Sequence, residues 1–218
     1  MLVVYLDPYF LGDPLFVPGL AQDLAAREGG LVLVHGSGER GERALESLGQ
    51  VPTASRGVWQ TEDAEGREVV ERSIRDLNRE IAHELNEAGV SAIRVMGADR
   101  GLLKSDDGAL VTGRTGWLGD LARQGVVAVV AALVEGDGGH VEADAAEAAG
   151  VLALALGVPL AVLTTRSVEG GGAVEELAEA FPDAESAARA VAVPGRAGAG
   201  PRVTLRQPEG PSATVTTG

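Results

Sequence analysis

The chain has 218 residues, of which 45% are hydrophobic and only 3% aromatic, so its core must be built from Val, Leu, Ile and Ala. The formal net charge of −14 argues against nucleic acid as a partner, because phosphate contacts need clustered Lys and Arg. The absence of cysteine excludes disulfides and thiolate metal sites, and a reducing cytoplasm is the simplest location. The opening segment Met1–Asp7 has no basic region and is too short for a signal peptide or a membrane span, so we expect no membrane partner.

Apolar runs without polar alternation predict five strands covered on both faces, as in a parallel sheet. They are Leu2–Leu6, Leu31–His35, Ala92–Val95, Val126–Val130 and Pro159–Leu163. Helical patterns lie between them, at Phe16–Arg27, Gly41–Leu48, Asp63–Ala88, Trp117–Gln124 and Ala143–Leu156. This alternation predicts an α/β protein, a three-layer αβα sandwich with a central, mainly parallel sheet.

The remaining segments are rich in turn-forming residues. Val51–Thr61 and Asp107–Thr115 are expected to form hairpins over one end of the sheet. We interpret residues 1–218 as a single domain, and the stretch from Gly195 to Gly218 as either a flexible tail or a sheet-edge addition, with β-prone pieces at Val203–Leu205 and Ala213–Thr216.

The most informative stretch is the apolar strand Leu31–His35, which ends in Gly36-Ser37-Gly38 and then enters a helical pattern. A glycine loop between a strand and a helix exposes backbone N–H groups to an anion, and the helix N-terminus adds a favourable dipole. The alternative is a tight turn that needs glycine only for its dihedral angles. The residues alone leave both interpretations open.

Seven segments, in order, resemble motifs of the amino acid kinase family, nearest to N-acetylglutamate kinase and the kinase acting on carrier-linked aminoadipate. They are Val34–Gly38 for V-H-G-G-G, Asp63–Val70 for T-D-A-E-T-M-E-V-V, Leu77–Ile81 for V-N-K-E-I, Val95–Leu102 for L-S-G-x-D-G-G-L, Val141–Ala146 for I-N-A-D-T-A, Val162–Thr165 for L-L-T-D and Gly171–Ala173 for G-G-M. The resemblance implies the family's αβα fold, a homodimer, and a transferase of amino-acid biosynthesis that moves the γ-phosphoryl of ATP, with Mg²⁺, onto a carboxylate.

The resemblance also implies site residues. Asp144 aligns with the aspartate that organises two catalytic lysines, although an aspartate there is equally suited to capping a helix. The substrate side is implied at Gly36, Ser37, Gly38, Gln60, His140 and Glu142. The nucleotide side is implied at Thr164, Thr165, Arg166, Gly171 and Gly172.

Several of these positions depart from the family's pattern. Tyr5 stands where the first-strand lysine is expected, and Glu175 and Glu176 stand near the second. Gln60 replaces the arginine that grips the substrate's distal carboxylate, and Lys104 is the only lysine in the chain. Placing neutral or acidic groups beside a triphosphate is electrostatically unfavourable.

Two functions therefore remain in view. One is a catalytically impaired kinase-like protein, or pseudokinase, that binds a small amino-acid derivative or a nucleotide, or regulates a partner. The other is an active ATP-dependent carboxylate kinase in which arginines, such as Arg166, replace the lysines. The three histidines are scattered, so we expect no dedicated metal site.

Overall fold

The computed structural model describes residues 1–25, 29–55, 57–106, 109–136, 139–158, 160–164 and 190–194, with the backbone alone described from residue 161 onward. Six parallel strands form its central sheet. They span Leu2–Leu6 (β1), Leu31–His35 (β2), Ala92–Met96 (β5), Val127–Ala131 (β8), Leu160–Thr164 (β11) and Ala190–Pro194 (β12). Their order across the sheet is β12-β11-β1-β2-β8-β5. The sequence predicted the first five of these within one residue and did not predict β12.

Helices cover both faces of the sheet, which confirms the predicted three-layer sandwich. They span Pro8–Leu11 (α1), Phe16–Ala25 (α2), Glu39–Ser47 (α3), Ala64–Glu87 (α4), Gly116–Arg123 (α5) and Ala145–Leu156 (α6). One core lies between the sheet and α5 and α6, and a second lies between the sheet and α1, α2 and α4. Alternate residues of each strand supply the two cores: Val3 and Val34 face the first, whereas Val4 and Leu33 face the second.

The long helix α4 packs through the apolar stripe that its sequence predicts. Val70, Ile74, Leu77, Ile81 and Leu85 are all buried, at spacings of three and four residues. Asp63 caps the helix by accepting a hydrogen bond of 2.7 Å from the amide of Gly66. The predicted start at Asp63 is therefore the cap, and the helix proper begins one residue later.

Three antiparallel hairpins lie beyond the central sheet. They pair Thr53–Ser55 (β3) with Val58–Gln60 (β4), Leu103–Asp106 (β6) with Ala109–Thr112 (β7), and Leu133–Gly136 (β9) with Gly139–Glu142 (β10). The first matches the prediction over Val51–Thr61. The second begins four residues earlier than the predicted Asp107–Thr115, because the turn at Gly101 leads straight into β6. The third was not predicted.

The predicted tail, with its pieces at Val203–Leu205 and Ala213–Thr216, lies outside the described residues. Among the helices of the described ranges, none combines the length and the apolar character that crossing a membrane requires.

Candidate functional site

The candidate site is the short loop that follows β2 at the carboxyl edge of the sheet, the edge at which open parallel sheets bind ligands. Residues 36–38 join β2 directly to α3, so the loop amides stand beside the N-terminus of that helix. Gly38 has a φ of +57°, a left-handed conformation that favours glycine. The predicted placement of this loop at the end of its strand is confirmed.

A carboxylate of the chain itself occupies the loop. Glu142 Oε1 accepts a hydrogen bond of 2.7 Å from the amide of Ser37, and Oε2 accepts one of 3.1 Å from the Ser37 hydroxyl. The main chain of Trp59 donates a further hydrogen bond to the same carboxylate. A Cβ added to Gly36 would lie 2.8 Å from Glu142 Oε1, so glycine is needed there to let the carboxylate approach.

The backbone around the strand ends fixes the position of Glu142. Glu142 is the last residue of β10 and pairs with Leu133, the first residue of β9. The amide of Ala143 donates to Ala132 O at 2.8 Å, and the amide of Ala132 donates to His35 O at 2.9 Å. The hairpin is thus tied to the end of β2, and it delivers the carboxylate to the loop without a flexible linker.

Burial and charge set the protonation of Glu142. Burial raises the pKa of its carboxyl above the ordinary value of 4.5, whereas the hydrogen bonds from Ser37 and Trp59 oppose the rise. The negative charge of Asp144 adds a smaller upward contribution. The loop therefore holds a partly buried acid whose charge is stabilised by hydrogen-bond donors of Ser37 and Trp59.

Trp59 covers the loop from the hairpin β3–β4. Its indole Nε1 donates to Gly38 O at 3.0 Å. A Cβ on Gly41, in the first turn of α3, would lie 2.5 Å from both Ser37 Oγ and Trp59 Cδ1. The helix, the loop and the hairpin therefore meet in close contact, and a side chain at Gly41 would separate them.

A buried histidine supports the loop from below. His35 is fully buried; its Nδ1–H donates to Gly36 O at 2.8 Å, and its Nε2 accepts from Asn78 Nδ2 at 3.0 Å. The same amide nitrogen also donates to Val129 O at 2.9 Å. These partners assign the neutral tautomer protonated at Nδ1, and burial lowers the pKa of His35 to about 4.

Asp144, the predicted catalytic residue, is the N-cap of α6. Its Oδ1 accepts hydrogen bonds from the amides of Ala146 at 2.9 Å and Glu147 at 3.1 Å. This geometry is the helix-capping role that the sequence left open. Its charge also reaches Glu142, which places the aspartate near the loop.

Other predicted residues lie at varying distances from this cluster. Gln60 is exposed on β4, and its amide donates to Val58 O at 3.3 Å. The Nδ1 atom of His140 lies 3.2 Å from Glu71 Oε1 and 3.2 Å from a guanidinium nitrogen of Arg75, so this histidine ties β10 to α4. Tyr5 pairs in register with Val34 and packs, partly buried, on the face of the sheet that carries α6.

The predicted nucleotide side falls mainly outside the described residues. Thr164 is the last residue of β11 and pairs with Pro194 of β12. The undescribed positions are Thr165, Arg166, Gly171, Gly172, Glu175 and Glu176. Within the described ranges, no three histidine, aspartate or glutamate side chains converge as ligands for a metal ion.

Two residues of the site were not predicted. Trp59 lies in a turn-rich hairpin whose sequence carries no sign of contact with the loop. Asn78 did carry a signal, because it is a polar residue beside Leu77 on the apolar stripe of α4. Its amide nitrogen donates to His35 and Val129, whereas its amide oxygen has no hydrogen-bond partner among the described residues.

The parallel sheet and the glycine loop at its carboxyl edge define an αβα protein of the kind that binds small ligands at that edge. Among sequence relatives, the acetylglutamate kinase of Roseiflexus sp. (strain RS-1) is 35% identical over 176 residues, which cover 75% of this chain and 67% of the relative. The acetylglutamate kinase of Thermus thermophilus is 33% identical over 158 residues, or 69% of this chain and 62% of the relative. The chain belongs to the amino acid kinase family.

Solved structures agree on the fold. N-acetylglutamate synthase from Neisseria gonorrhoeae, complexed with coenzyme A and N-acetyl-glutamate, superposes with a TM-score of 0.62 at 21% identity, covering 82% of this chain and 47% of that one. Aspartate kinase from Synechocystis superposes with a TM-score of 0.59 at 18% identity, covering 76% and 28%. No protein-family profile matches the chain. The chain thus spans about two thirds of the length of the Roseiflexus kinase and about half of the synthase chain.

Proposed function

We propose that this chain is an acetylglutamate kinase-like protein in which phosphoryl transfer is impaired and whose fold binds a small molecule or regulates a partner. The observation that carries the proposal is the position of its one lysine. Lys104 lies on β6, beyond the carboxyl end of β5, and a Cβ added to Gly101 would lie 2.7 Å from its Cε. The end of β1, where the resemblance expects a lysine, carries Tyr5 instead.

The charges around the loop support the same proposal. Phosphoryl transfer gains mainly from positioning and from positive charge that neutralises the phosphoryl oxygens. The carboxylates of Glu142 and Asp144 interact with each other across this region. The nearest following arginine, Arg40, is engaged in an ion pair of 2.7 Å with Glu80. Losing one such donor costs about 10²–10³ in rate, and here several are replaced.

The described residues at this edge do not favour a phosphoryl group at the loop, and most of the predicted nucleotide side lies outside the described residues. One amide that the glycine loop would offer to an oxyanion, that of Ser37, already donates to Glu142. Tyr5 is neutral, and the acidic pair would repel phosphate. We therefore derive no catalytic step through ATP or Mg²⁺ from these residues.

Turnover of N-acetylglutamate with ATP and Mg²⁺ tests the proposal directly. Any acyl phosphate is trapped as its hydroxamate, and we expect none above background from the unmodified protein. The variants Tyr5→Lys and Gln60→Arg, singly and together in a Glu142→Ala background that frees the Ser37 donors, should raise the signal because they restore a cation at the strand end and a partner for the distal carboxylate. Lys104→Arg is the matched control, and it should leave the wild-type signal unchanged. Turnover typical of the family in the unmodified protein would contradict the proposal and favour an active kinase that uses arginines.

A thermal shift with ATP, with and without Mg²⁺, separates binding from scaffolding. A ligand at about 100 times its dissociation constant stabilises the folded state by roughly 2.7 kcal/mol. A shift without turnover would favour a ligand-binding pseudokinase, and no shift at millimolar ATP would favour a partner-binding role. The homodimer that the resemblance implies is part of the proposal, and light scattering on the purified chain measures it.

A further inference from the structure

We infer that Glu142 is a built-in occupant of the glycine loop and that it determines specificity by excluding carboxylate and phosphate ligands from that loop. The inference deepens the proposed function and rests on it in one respect, namely that the loop is the ligand site of the fold. Its geometry does not depend on the resemblance, because the carboxylate and its donors are all described side chains and amides.

The hydrogen-bond donors of Ser37 and Trp59 at the loop are already engaged. A ligand anion at a strand–helix loop is held by backbone amides that point into the loop. Ser37 offers its amide and its hydroxyl, and both donate to Glu142, at 2.7 and 3.1 Å. The Trp59 amide donates there as well. An incoming carboxylate would find these donors engaged.

The space beside the loop backbone at Gly36 is already filled by Glu142. Glu142 Oε1 lies 2.8 Å from the position that a Cβ on Gly36 would take, so the carboxylate sits directly on the loop backbone. A second carboxylate could approach only by displacing Glu142. Displacement would cost the hydrogen bonds that the carboxylate accepts from Ser37 and Trp59, and the backbone of Glu142 is itself tied through Ala143 and Ala132 to His35.

Negative charge near the loop also opposes an external anion. An anion beside Glu142 would meet the negative charge of Asp144, and that of Glu142 whenever its carboxyl is ionised, in a partly buried setting where electrostatic repulsion is only partly screened. Repulsion, occupied donors and occupied space act in the same direction. Removing the Glu142 carboxylate should therefore leave a cavity lined by free donors, which an external carboxylate can fill.

Chemical rescue with a small carboxylate is the decisive experiment. The variant Glu142→Ala is titrated with acetate against NaCl at equal ionic strength, and its melting temperature is recorded. We expect a rise that grows with the logarithm of the acetate concentration and reaches roughly 5–11 °C at 100 times the dissociation constant. The wild type and Glu142→Gln, whose amide fills the same space, should show no specific acetate effect. Glu135→Ala, an exposed glutamate on the same hairpin, is the matched control and should also show none.

Titrations with different anions identify which of them the vacated loop binds. N-acetylglutamate and phosphate are titrated into Glu142→Ala beside acetate, and rescue by acetate with none by phosphate would define a carboxylate site. No acetate effect in a folded Glu142→Ala protein, or an equal effect in the wild type, would overturn the inference. None of these results depends on turnover, so failure of the inference is separable from failure of the proposed function.

A measurement on the wild type keeps the inference testable if Glu142→Ala does not fold. The amide resonances of Ser37 and Trp59 are followed by NMR during an acetate titration. Because both amides already donate to Glu142, neither should shift more than amides remote from the loop. A saturable shift of both resonances would mean that the loop is open to external anions, and would overturn the inference.

Discussion

At the scale of single residues, the buried pair of His35 and Asn78 controls how the loop responds to acid. Neutral His35 donates to Gly36 O and accepts from Asn78, so a second proton on the ring would break the contact with Asn78. Burial, the largest cause, and the positive charge of Arg40 both disfavour the charged ring. The imidazole is therefore a structural group that must stay neutral.

Acid should destabilise the fold through His35. The pKa of His35 is lowered from 6.5 to about 4 on folding, so the unfolded chain binds the proton more tightly. The stability that neutral His35 contributes is complete above pH 6.5 and is lost as the pH falls towards 4, by about 3 kcal/mol in all. Urea unfolding of the wild type and of His35→Gln between pH 7.5 and 4 measures this slope.

The free energies of unfolding of the wild type and of His35→Gln should be compared at each pH. Glu142 is present in both proteins, and because its pKa is raised on folding, it stabilises the fold as the pH falls, opposite to His35. We expect the wild type to lose more stability than His35→Gln as the pH falls. Replacing the exposed His83 by Gln is the control, and it should leave the wild-type slope unchanged. Parallel pH profiles for wild type and His35→Gln would contradict a buried, neutral His35.

The residues of the site show what sequence can and cannot predict at this scale. The loop Gly36-Ser37-Gly38 was identified because its glycines stand between an apolar strand pattern and a helical pattern, so the sequence itself shows where the chain turns. The contact of Ser37 with Glu142 joins residues 105 positions apart, and no local pattern encodes it. The resemblance assigned Glu142 to the substrate side, and its carboxylate is hydrogen-bonded to Ser37 of the loop.

At the scale of elements, strands and helices were predicted where their pattern is long and apolar. The apolar stripe of α4 and the apolar run of β2 could be recognised because their own side chains form the buried face of each element. The hairpin β9–β10 was missed because β9 directly follows β8, with only Ala132 between them, and the two read as one apolar run. Gly139, the first residue of β10, has a φ of +144°, a conformation that favours glycine.

The glycines of two helices should respond oppositely to substitution by alanine. Gly41 lies in α3, where a Cβ would come within 2.5 Å of Ser37 Oγ and Trp59 Cδ1, and this overpacking should cost about 1–3 kcal/mol. Gly119 lies inside α5, where the nearest atom would be 3.9 Å away, and alanine there should stabilise the helix by roughly 0.5–1 kcal/mol. Free energies of unfolding in urea measure both changes.

The Gly119→Ala variant serves as the internal control for helix propensity, which favours alanine at both positions. Fluorescence of the two tryptophans should also change in Gly41→Ala, because Trp59 contacts the substituted position, and should not change in Gly119→Ala. Stabilisation of both variants would show that α3 and the hairpin β3–β4 are not closely packed at this point.

At the scale of the whole molecule, layer order follows from the sequence and the position of the site does not. Five apolar strands separated by helices permit few arrangements other than a parallel sheet between two helical layers, because crossovers are right-handed and helices must cover both faces. The site instead depends on two hairpins, β3–β4 between α3 and α4 and β9–β10 after β8, which meet over one loop. Their meeting point is fixed by tertiary contacts such as Trp59 Nε1 with Gly38 O.

Net charge is the property of the whole molecule with the clearest measurable consequence. The chain carries a formal charge of −14, and its described salt bridges are mostly exposed pairs within single helices, such as Arg72 with Glu68 and Arg79 with Asp76. Such pairs contribute roughly 0.2–1 kcal/mol each and are screened by salt. Repulsion among the excess carboxylates is long-ranged and opposes compaction, and salt screens it as well.

We expect screening of the repulsion to dominate, so stability should rise with ionic strength. The Debye length falls from about 30 Å at 0.01 M to about 8 Å at 0.15 M, which removes most interactions between distant surface charges but fewer between adjacent ones. Melting temperatures in NaCl from 0.01 to 0.3 M at pH 7.5 should therefore increase, with each 1 kcal/mol of stability appearing as roughly 2–4 °C.

Sucrose at matched osmolality controls for solute exclusion. Arg94→Gln provides the matched variant, because this exposed arginine on β5 forms no ion pair with a described residue and its loss brings the formal charge from −14 to −15, which should steepen the salt dependence. A melting temperature that falls with NaCl in both proteins would mean that the short-range ion pairs of α4 outweigh the net charge.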